Sequence, residues 1–351
     1  MALARSRDAD EVVAGFVAWR SEHDPGAVPG AVPGAVLEVV GVERPSAGFS
    51  SETYVLDVRR GDAEERLVLK LPPAGPGGFP SYDFAVQARV QTAVAAAGIP
   101  APAPVVAVAD ERWLGAPFLV MPAIDGHVVD QIPLADRWLT KADSQLNTRA
   151  HQGYVDVIAA VNGVDWRAHG LADALPVRDN AAEIAHWRRY LAWYGDGADL
   201  VHSLIDALDW CDAHRPSTEP PPSLLWGDVR LGNVIYDDHR VPVAVLDWEM
   251  ASIGAAEHDL AWTLALDGAQ DELFGRRVPG FLDRAAVIER YETAIGRPTR
   301  DLDWYETFAL ARSIAIMTRI GHLHELAGEP GPFPLDDNPM LALLQRRIPA
   351  T

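Results

Sequence analysis

The sequence predicts an α+β fold in two lobes, a small β-rich N-lobe over residues 1–122 and a larger helical C-lobe over 123–351. Short apolar, β-branched runs separated by turn residues crowd the first third of the chain. Beyond Pro122 the pattern changes to long stretches of helical periodicity. A length of 351 residues, 48% of them hydrophobic and 11 of them tryptophan, suits two packed bodies better than one small core.

Taken in order, residues 11–22 read as a short amphipathic helix. Three tandem Pro-Gly-Ala-Val units from Pro25 to Val36 read as a linker or edge loop. Strands are expected over Leu37–Val42, Thr53–Val58 and Arg66–Lys70, with Arg59-Arg60-Gly61-Asp62 as a hairpin turn. A Pro/Gly-rich loop over 72–80 leads to a helix over Asp83–Ala97 that stops at Gly98. Val105–Ala109 and Phe118–Met121 complete five strands, and Met121–Ile124 reads as a hinge. In the second lobe, helices are expected over 143–163, 180–214, 255–268, 283–295 and 302–327, interrupted by one hairpin over 234–246.

A net charge of −20 argues against non-specific binding to nucleic acid or an anionic membrane, both of which need a positive field. It is compatible with a cationic substrate, although acidic surfaces also serve solubility. The single cysteine, Cys211, rules out an intrachain disulfide framework and reads as a small helical residue beside Trp210. Charged residues interrupt the first twenty positions, and prolines 100, 102 and 104 break the most apolar later stretch. A cytoplasmic protein is therefore expected.

The segment that carries chemistry runs Leu225-Trp226-Gly227-Asp228-Val229-Arg230-Leu231-Gly232-Asn233 and continues, after the hairpin, as Leu246-Asp247-Trp248-Glu249. Asn233 precedes the first hairpin strand and Asp247 follows the second, symmetric about Arg240. An amide oxygen and a carboxylate at one hairpin mouth are hard ligands suited to magnesium. Asp228, five residues upstream, adds a third oxygen group that can accept a hydroxyl proton. Taken singly, Asp228 and Asn233 are also ordinary turn formers, and Asp247 an ordinary helix cap.

Gly-Asp-x4-Asn, a hairpin and apolar-Asp-Trp resemble the catalytic and metal segments of the aminoglycoside phosphotransferase and choline kinase superfamily. The longer match, on through Asp259-Leu260-Ala261-Trp262, resembles bacterial proteins assigned to the aminoglycoside phosphotransferases and the kinase-like domain of some acyl-CoA dehydrogenase family proteins. The resemblance implies a bilobal protein-kinase-like fold that moves the γ-phosphoryl group of ATP, or of GTP, to a hydroxyl of a small molecule. It makes Asp228 the catalytic base and Asn233 and Asp247 the Mg2+ ligands. Asp259 is expected to cap or brace its own helix.

The N-lobe offers an independent test. The chain has two lysines, Lys70 and Lys141, and Lys70 ends the third predicted strand, where a kinase fold needs a lysine for the α/β-phosphates. Ser46, Gly48, Phe49, Ser50, Ser51 and Thr53 resemble a nucleotide loop whose small residues let N–H groups approach phosphate. Met121, Ala123 and Ile124 fall where relatives bind adenine; Pro122 lacks an N–H, so a donor comes from Ala123 or Ile124.

Two departures from the family pattern stand out. Gln87 occupies the position of the glutamate that pairs with the lysine, and Trp226 replaces the frequent histidine before Gly-Asp. The acceptor is expected to be an aminoglycoside hydroxyl or a hydroxyacyl group. A nucleotide-binding pseudokinase is the alternative that Gln87 favours, while a protein kinase is disfavoured because no activation segment follows Asp247.

Overall fold

A computed structural model describes residues 7–23, 36–45, 50–194, 199–328 and 338–348. The chain divides into two compact units, the first within 1–88, 102–123 and 323–330, the second within 89–101, 124–322 and 331–351. The Pro-Gly-Ala-Val units through Ala35, and Ser46, Gly48 and Phe49, lie outside the described residues.

The first unit opens with α1 (Ala9–His23), followed by β1 (Leu37–Glu43), β2 (Glu52–Arg60), β3 (Ala63–Leu71), the first residues of α2 (Phe84–Ala96), whose remainder from Arg89 belongs to the second unit, β4 (Val106–Val108) and β5 (Phe118–Pro122). The strands form one antiparallel sheet in the order β1-β2-β3-β5-β4. The five expected strands and the helix after the third are all present. The turn between β2 and β3 is tighter than expected: Arg59 and Arg60 pair within the ladder and Gly61, at φ 63°, makes the reversal. Strand alternation then sorts the faces. Phe118 and Val120 pack with Val12, Phe16 and Trp19 of α1, whereas Leu119 between them packs with Phe84 and Ala88 of α2.

The second unit contains β6 (His127–Val128), α3 (Arg137–Thr140), α4 (Ser144–Asn162), α5 (Asn180–Tyr194), α6 (Asp199–Ala213), β7 (Ser223–Leu225), β8 (Val234–Tyr236), β9 (Pro242–Val245) and β10 (Ser252–Gly254). The helices α7 (Glu257–Phe274), α8 (Arg284–Ile295), α9 (Leu302–Ala327) and α10 (Pro339–Arg347) follow. The stretch read as one helix over 180–214 is two, α5 and α6, and the sequence between them carries Gly195 and Gly197, poor helix formers. The expected end of a helix near 268 is overrun to Phe274, where Gly275 closes it at φ 64°. Cys211 is fully buried on α6, and burial pushes its thiol up to about 12, so it is an inert packing residue. No helix among the described residues is long and apolar enough to cross a membrane.

The second unit holds a buried polar core. Arg312 of α9 is 4% exposed, with its guanidinium over the rings of Trp262 and Phe308 and 3.6 Å from Glu183. Arg178 holds the same carboxylate at 3.1 Å. Burial works against the Glu183 anion, but the two guanidiniums outweigh it and bring its pKa down to about 2. His258 Nε2 meets Asn180 Oδ1 at 2.9 Å; burial, reinforced by Arg312, lowers its pKa to about 3. Burial likewise takes His186 to about 4.

These neutral histidines set an acid limb to stability. Between pH 6.5 and 3 the unfolded chain protonates His258 while the folded chain does not, so stability falls with pH by up to about 1.4 kcal/mol per unit for such a group. Thermal midpoints recorded from pH 7 to pH 4 should fall less steeply for His258→Gln than for the parent chain. An unchanged slope would refute the assignment.

Candidate active site

The candidate site grows from the chain between β7 and β10. After β7 the chain runs through Trp226-Gly227-Asp228-Val229-Arg230, makes one 3-10 turn over Leu231–Asn233 and enters β8. The β8–β9 hairpin returns it to Leu246-Asp247-Trp248, and β10 pairs back onto β7 through Ser252 opposite Leu225. Strand pairing therefore closes the segment at both ends.

The hairpin register differs from the symmetric expectation. Val234 faces Val245, and Leu246 donates its N–H to the Asn233 carbonyl at 2.8 Å, so Asn233 sits opposite Leu246 and Asp247 lies one residue beyond. An irregularity between Ile235 and Tyr236 moves the turn by one residue. Asp247 adopts φ 64°, a left-handed conformation that aspartate tolerates better than most residues and that ends the alternation of β9 there.

Asp228 is 9% exposed and tightly held. Arg230 donates Nε to Oδ1 at 2.9 Å and to Oδ2 at 3.0 Å, and Nη2 to Oδ2 at 2.8 Å. Asn233 donates Nδ2 to the Asp228 carbonyl at 2.9 Å and to Oδ2 at 2.8 Å. Because both partners accept only, the amide must present its nitrogen to them. Asn233 Oδ1 is then left with a single distant donor, Arg230 Nη2 at 3.5 Å, and could hold a cation. Arg230 is thus bound directly to Asp228. Its pKa is raised: burial lowers it, and the carboxylates of Asp228, Asp247 and Glu249 more than compensate.

The donor set fits magnesium. One amide oxygen and one carboxylate leave most of an octahedron to water and phosphate oxygens, the usual way this ion is bound. Among the described residues, no group of three or more His, Cys, Asp or Glu side chains could hold a metal by itself.

Asp259 departs from its expected role. It lies in the first turn of α7, yet its carboxylate accepts from Trp226 N at 2.8 Å, Gly227 N at 3.0 Å and Asn162 Nδ2 at 2.8 Å. It braces the catalytic segment, not its own helix. Asn162 in turn donates to the Leu224 carbonyl and accepts from Tyr291. Trp226 does more than pack: its indole N–H bridges the Leu246 and Asp247 carbonyls at 2.8 and 3.1 Å. Gly227 turns at φ 91°, and a Cβ there would come within 2.4 Å of the Met250 carbonyl. Sequence reasoning missed these three supports; the uninterrupted Trp-Gly-Asp run is the one local signal that marks them.

In the first unit, Lys70 lies between Thr53 of β2 and Leu119 of β5. Directly opposed residues share a face, so Lys70 and Leu119 lie on the face that packs Phe84 and Ala88 of α2. Gln87, 5% exposed, belongs to the same helix. Ser50 and Ser51 lead into β2 and are half-buried. Met121 pairs with Val68 in β5, and the Ala123 N–H is taken by the Arg66 carbonyl at 2.9 Å. Of the two backbone donors anticipated at the hinge, Ile124 is the one not so engaged.

A model of the phosphotransferase enzyme family matches residues 41–304. The chain is 24% identical over 297 residues to the probable acyl-CoA dehydrogenase IBR3 of Arabidopsis thaliana, covering 78% of this chain and 35% of that protein. It thus spans about a third of that relative's length. A crystal structure of a provisionally assigned aminoglycoside phosphotransferase from Ralstonia eutropha aligns over 95% of this chain and 94% of that one, with a TM-score of 0.66 and 22% identity. A thermostable mutant of the aminoglycoside phosphotransferase APH(4)-Ia, in ternary complex with ADP and hygromycin B, aligns over 89% and 92% with a TM-score of 0.54 and 15% identity. The antiparallel sheet region and the helical part are those of the protein-kinase-like fold.

Replacing Asp259 by Asn keeps the volume but sets an NH2 group against backbone donors, at a cost of about 1–3 kcal/mol. Thermal unfolding should show that loss, and Gly227→Ala should show a similar one through its clash with Met250. A thermal midpoint unchanged in both variants would contradict the bracing role.

Proposed function

The chain belongs to the phosphotransferase enzyme family, and we propose that it transfers the γ-phosphoryl group of ATP to a hydroxyl of a small molecule. The observation that carries this reading is the grouping of Asp228, Asn233 and Asp247 around the β8–β9 hairpin, with Asn233 Oδ1 left available by its own hydrogen bonds. Asp228 takes the proton of the acceptor hydroxyl as that oxygen attacks the γ-phosphorus. The bond to the β–γ bridging oxygen breaks and ADP leaves. Asn233 and Asp247 would hold magnesium, which supplies charge neutralisation at the phosphates when bound. Lys70 and the loop ending at Ser50, Ser51 and Thr53 are assigned to the phosphates, and the Ile124 N–H to the adenine edge.

The acceptor reaches Asp228, in this reading, through a concavity of the second unit lined by Asp130, Tyr154, Arg230, Thr263, Asp267 and Gln270. An aminoglycoside hydroxyl is the acceptor that the acidic chain and the family favour. A hydroxyacyl thioester is a second candidate, supported by the match to an acyl-CoA dehydrogenase relative.

A magnesium-dependent screen of ATP and GTP against aminoglycosides, amino alcohols, sugars and hydroxyacyl thioesters tests the reading. Asp228→Ala should lower turnover on any acceptor found by about 10²–10⁴-fold, with nucleotide affinity retained. Unchanged turnover in that variant would remove Asp228 from the mechanism. Magnesium-dependent ATP binding with no transfer across the panel would favour the pseudokinase alternative that Gln87 raises.

A further inference from the structure

A carboxylate offers about four lone-pair positions to donors. On Asp228, Oδ2 is filled by Arg230 Nη2 at 2.8 Å and Asn233 Nδ2 at 2.8 Å. Oδ1 receives Arg230 Nε at 2.9 Å, a donor shared with Oδ2 at 3.0 Å, and no other donor among the described residues. One position therefore remains open, on Oδ1. The guanidinium fork also prevents rotation of the carboxylate about its Cβ–Cγ bond, because a planar two-point pair fits in only one orientation.

We infer that Arg230 is a positioning residue that makes the catalytic base monovalent, leaving Asp228 a single oxygen position for the acceptor hydroxyl and so suppressing transfer of the phosphoryl group to water. The inference rests on the reading of Asp228 as the base. With Arg230 in place, the one open position on Oδ1 takes a single hydroxyl group in one fixed orientation. Beside a bound acceptor no site is left for a water, and without an acceptor a water is offered that single position only. Without Arg230, Oδ1 is wholly open and one position on Oδ2 is released, and the carboxylate is free to turn toward solvent. A water then donates a proton to Asp228 while its oxygen bonds to the γ-phosphorus. The bond to the β–γ bridging oxygen breaks, ADP and inorganic phosphate leave, and the proton passes from Asp228 to solvent. Water is the only co-reactant beyond ATP.

The competing possibility is that Arg230 merely anchors the loop. That role predicts a loss of stability and a fall in every rate together, whereas monovalency predicts that one rate rises. The variants are built in the full chain, and the probe is magnesium-ATP alone, with no acceptor. Arg230→Gln should raise ATP hydrolysis by about tenfold over the parent, a change of the size that one well-placed interaction makes. Arg230→Lys, with a single-point donor, should fall between the two. The rise should vanish in Arg230→Gln/Asp228→Ala, and thermal midpoints and ATP affinity read in parallel confirm that each variant is folded and loaded. Hydrolysis by Arg230→Gln at or below the parent level, with Asp228→Ala lowering it further, overturns the inference and leaves the base assignment standing. A rise that persists in the double variant overturns both.

Discussion

A carboxylate with almost no contact with solvent, Asp259 at 1% exposure, organises the catalytic segment. Burying a lone anion is costly, and its partners have to repay the hydration it loses. Here the donors are the backbone N–H groups of Trp226 and Gly227 and the amide of Asn162. Burial raises the carboxyl pKa, while these hydrogen bonds and the charge of Arg312 act the other way. Two successive N–H groups can point at one carboxylate only if the chain turns sharply, which Gly227 does at φ 91°. That turn leads directly into Asp228, while the Trp226 indole reaches across to the carbonyls of Leu246 and Asp247. One buried charge thus fixes the start of the segment directly, and its end through an indole.

Support and chemistry occupy different layers. Asp259, Asn162 and Tyr291, on α7, α4 and α8, are buried and linked by hydrogen bonds, and Arg312 of α9 is buried and acts on Asp259 through its charge. The groups to which chemistry is proposed, Asp228, Arg230, Asn233 and Asp247, sit on turns and at the hairpin mouth, where backbone angles are irregular. This division suits phosphoryl transfer, in which the protein contributes position and charge more than covalent chemistry. A network of buried hydrogen bonds holds such positions more sharply than a loop could alone.

What could be read from the sequence follows the distance over which each interaction acts. The placement of Asp228, Asn233 and Asp247 around one hairpin was legible because nineteen residues set their relation, although the one-residue register shift was not. The placement of Lys70 near the end of the third strand was legible because that strand had a clear pattern. The bond of Asp259 to Trp226 spans 33 residues, and nothing local distinguishes it from a helix cap. The strands β6, β7 and β10 are two or three residues long, too short to show any periodicity. Arg230 was visible as a neighbour, but its fork onto Asp228 depends on the 3-10 turn at Leu231.

Charge gives the site a direction of assembly. Arg230 faces the carboxylates of Asp228, Asp247 and Glu249, so the centre keeps a negative excess even with its guanidinium in place. A nucleotide triphosphate approaching that excess on its own would be repelled. A divalent cation would be drawn in, and its charge converts the same carboxylates from an obstacle into an anchor for phosphate. The acidity of the chain as a whole, −20, points the same way on a larger scale. In the proposed transfer, a cation held by Asn233 and Asp247 would therefore bring phosphate into a site whose own charge disfavours it. Two oxygen ligands, rather than a closed metal cage, would leave the phosphates room to complete the coordination.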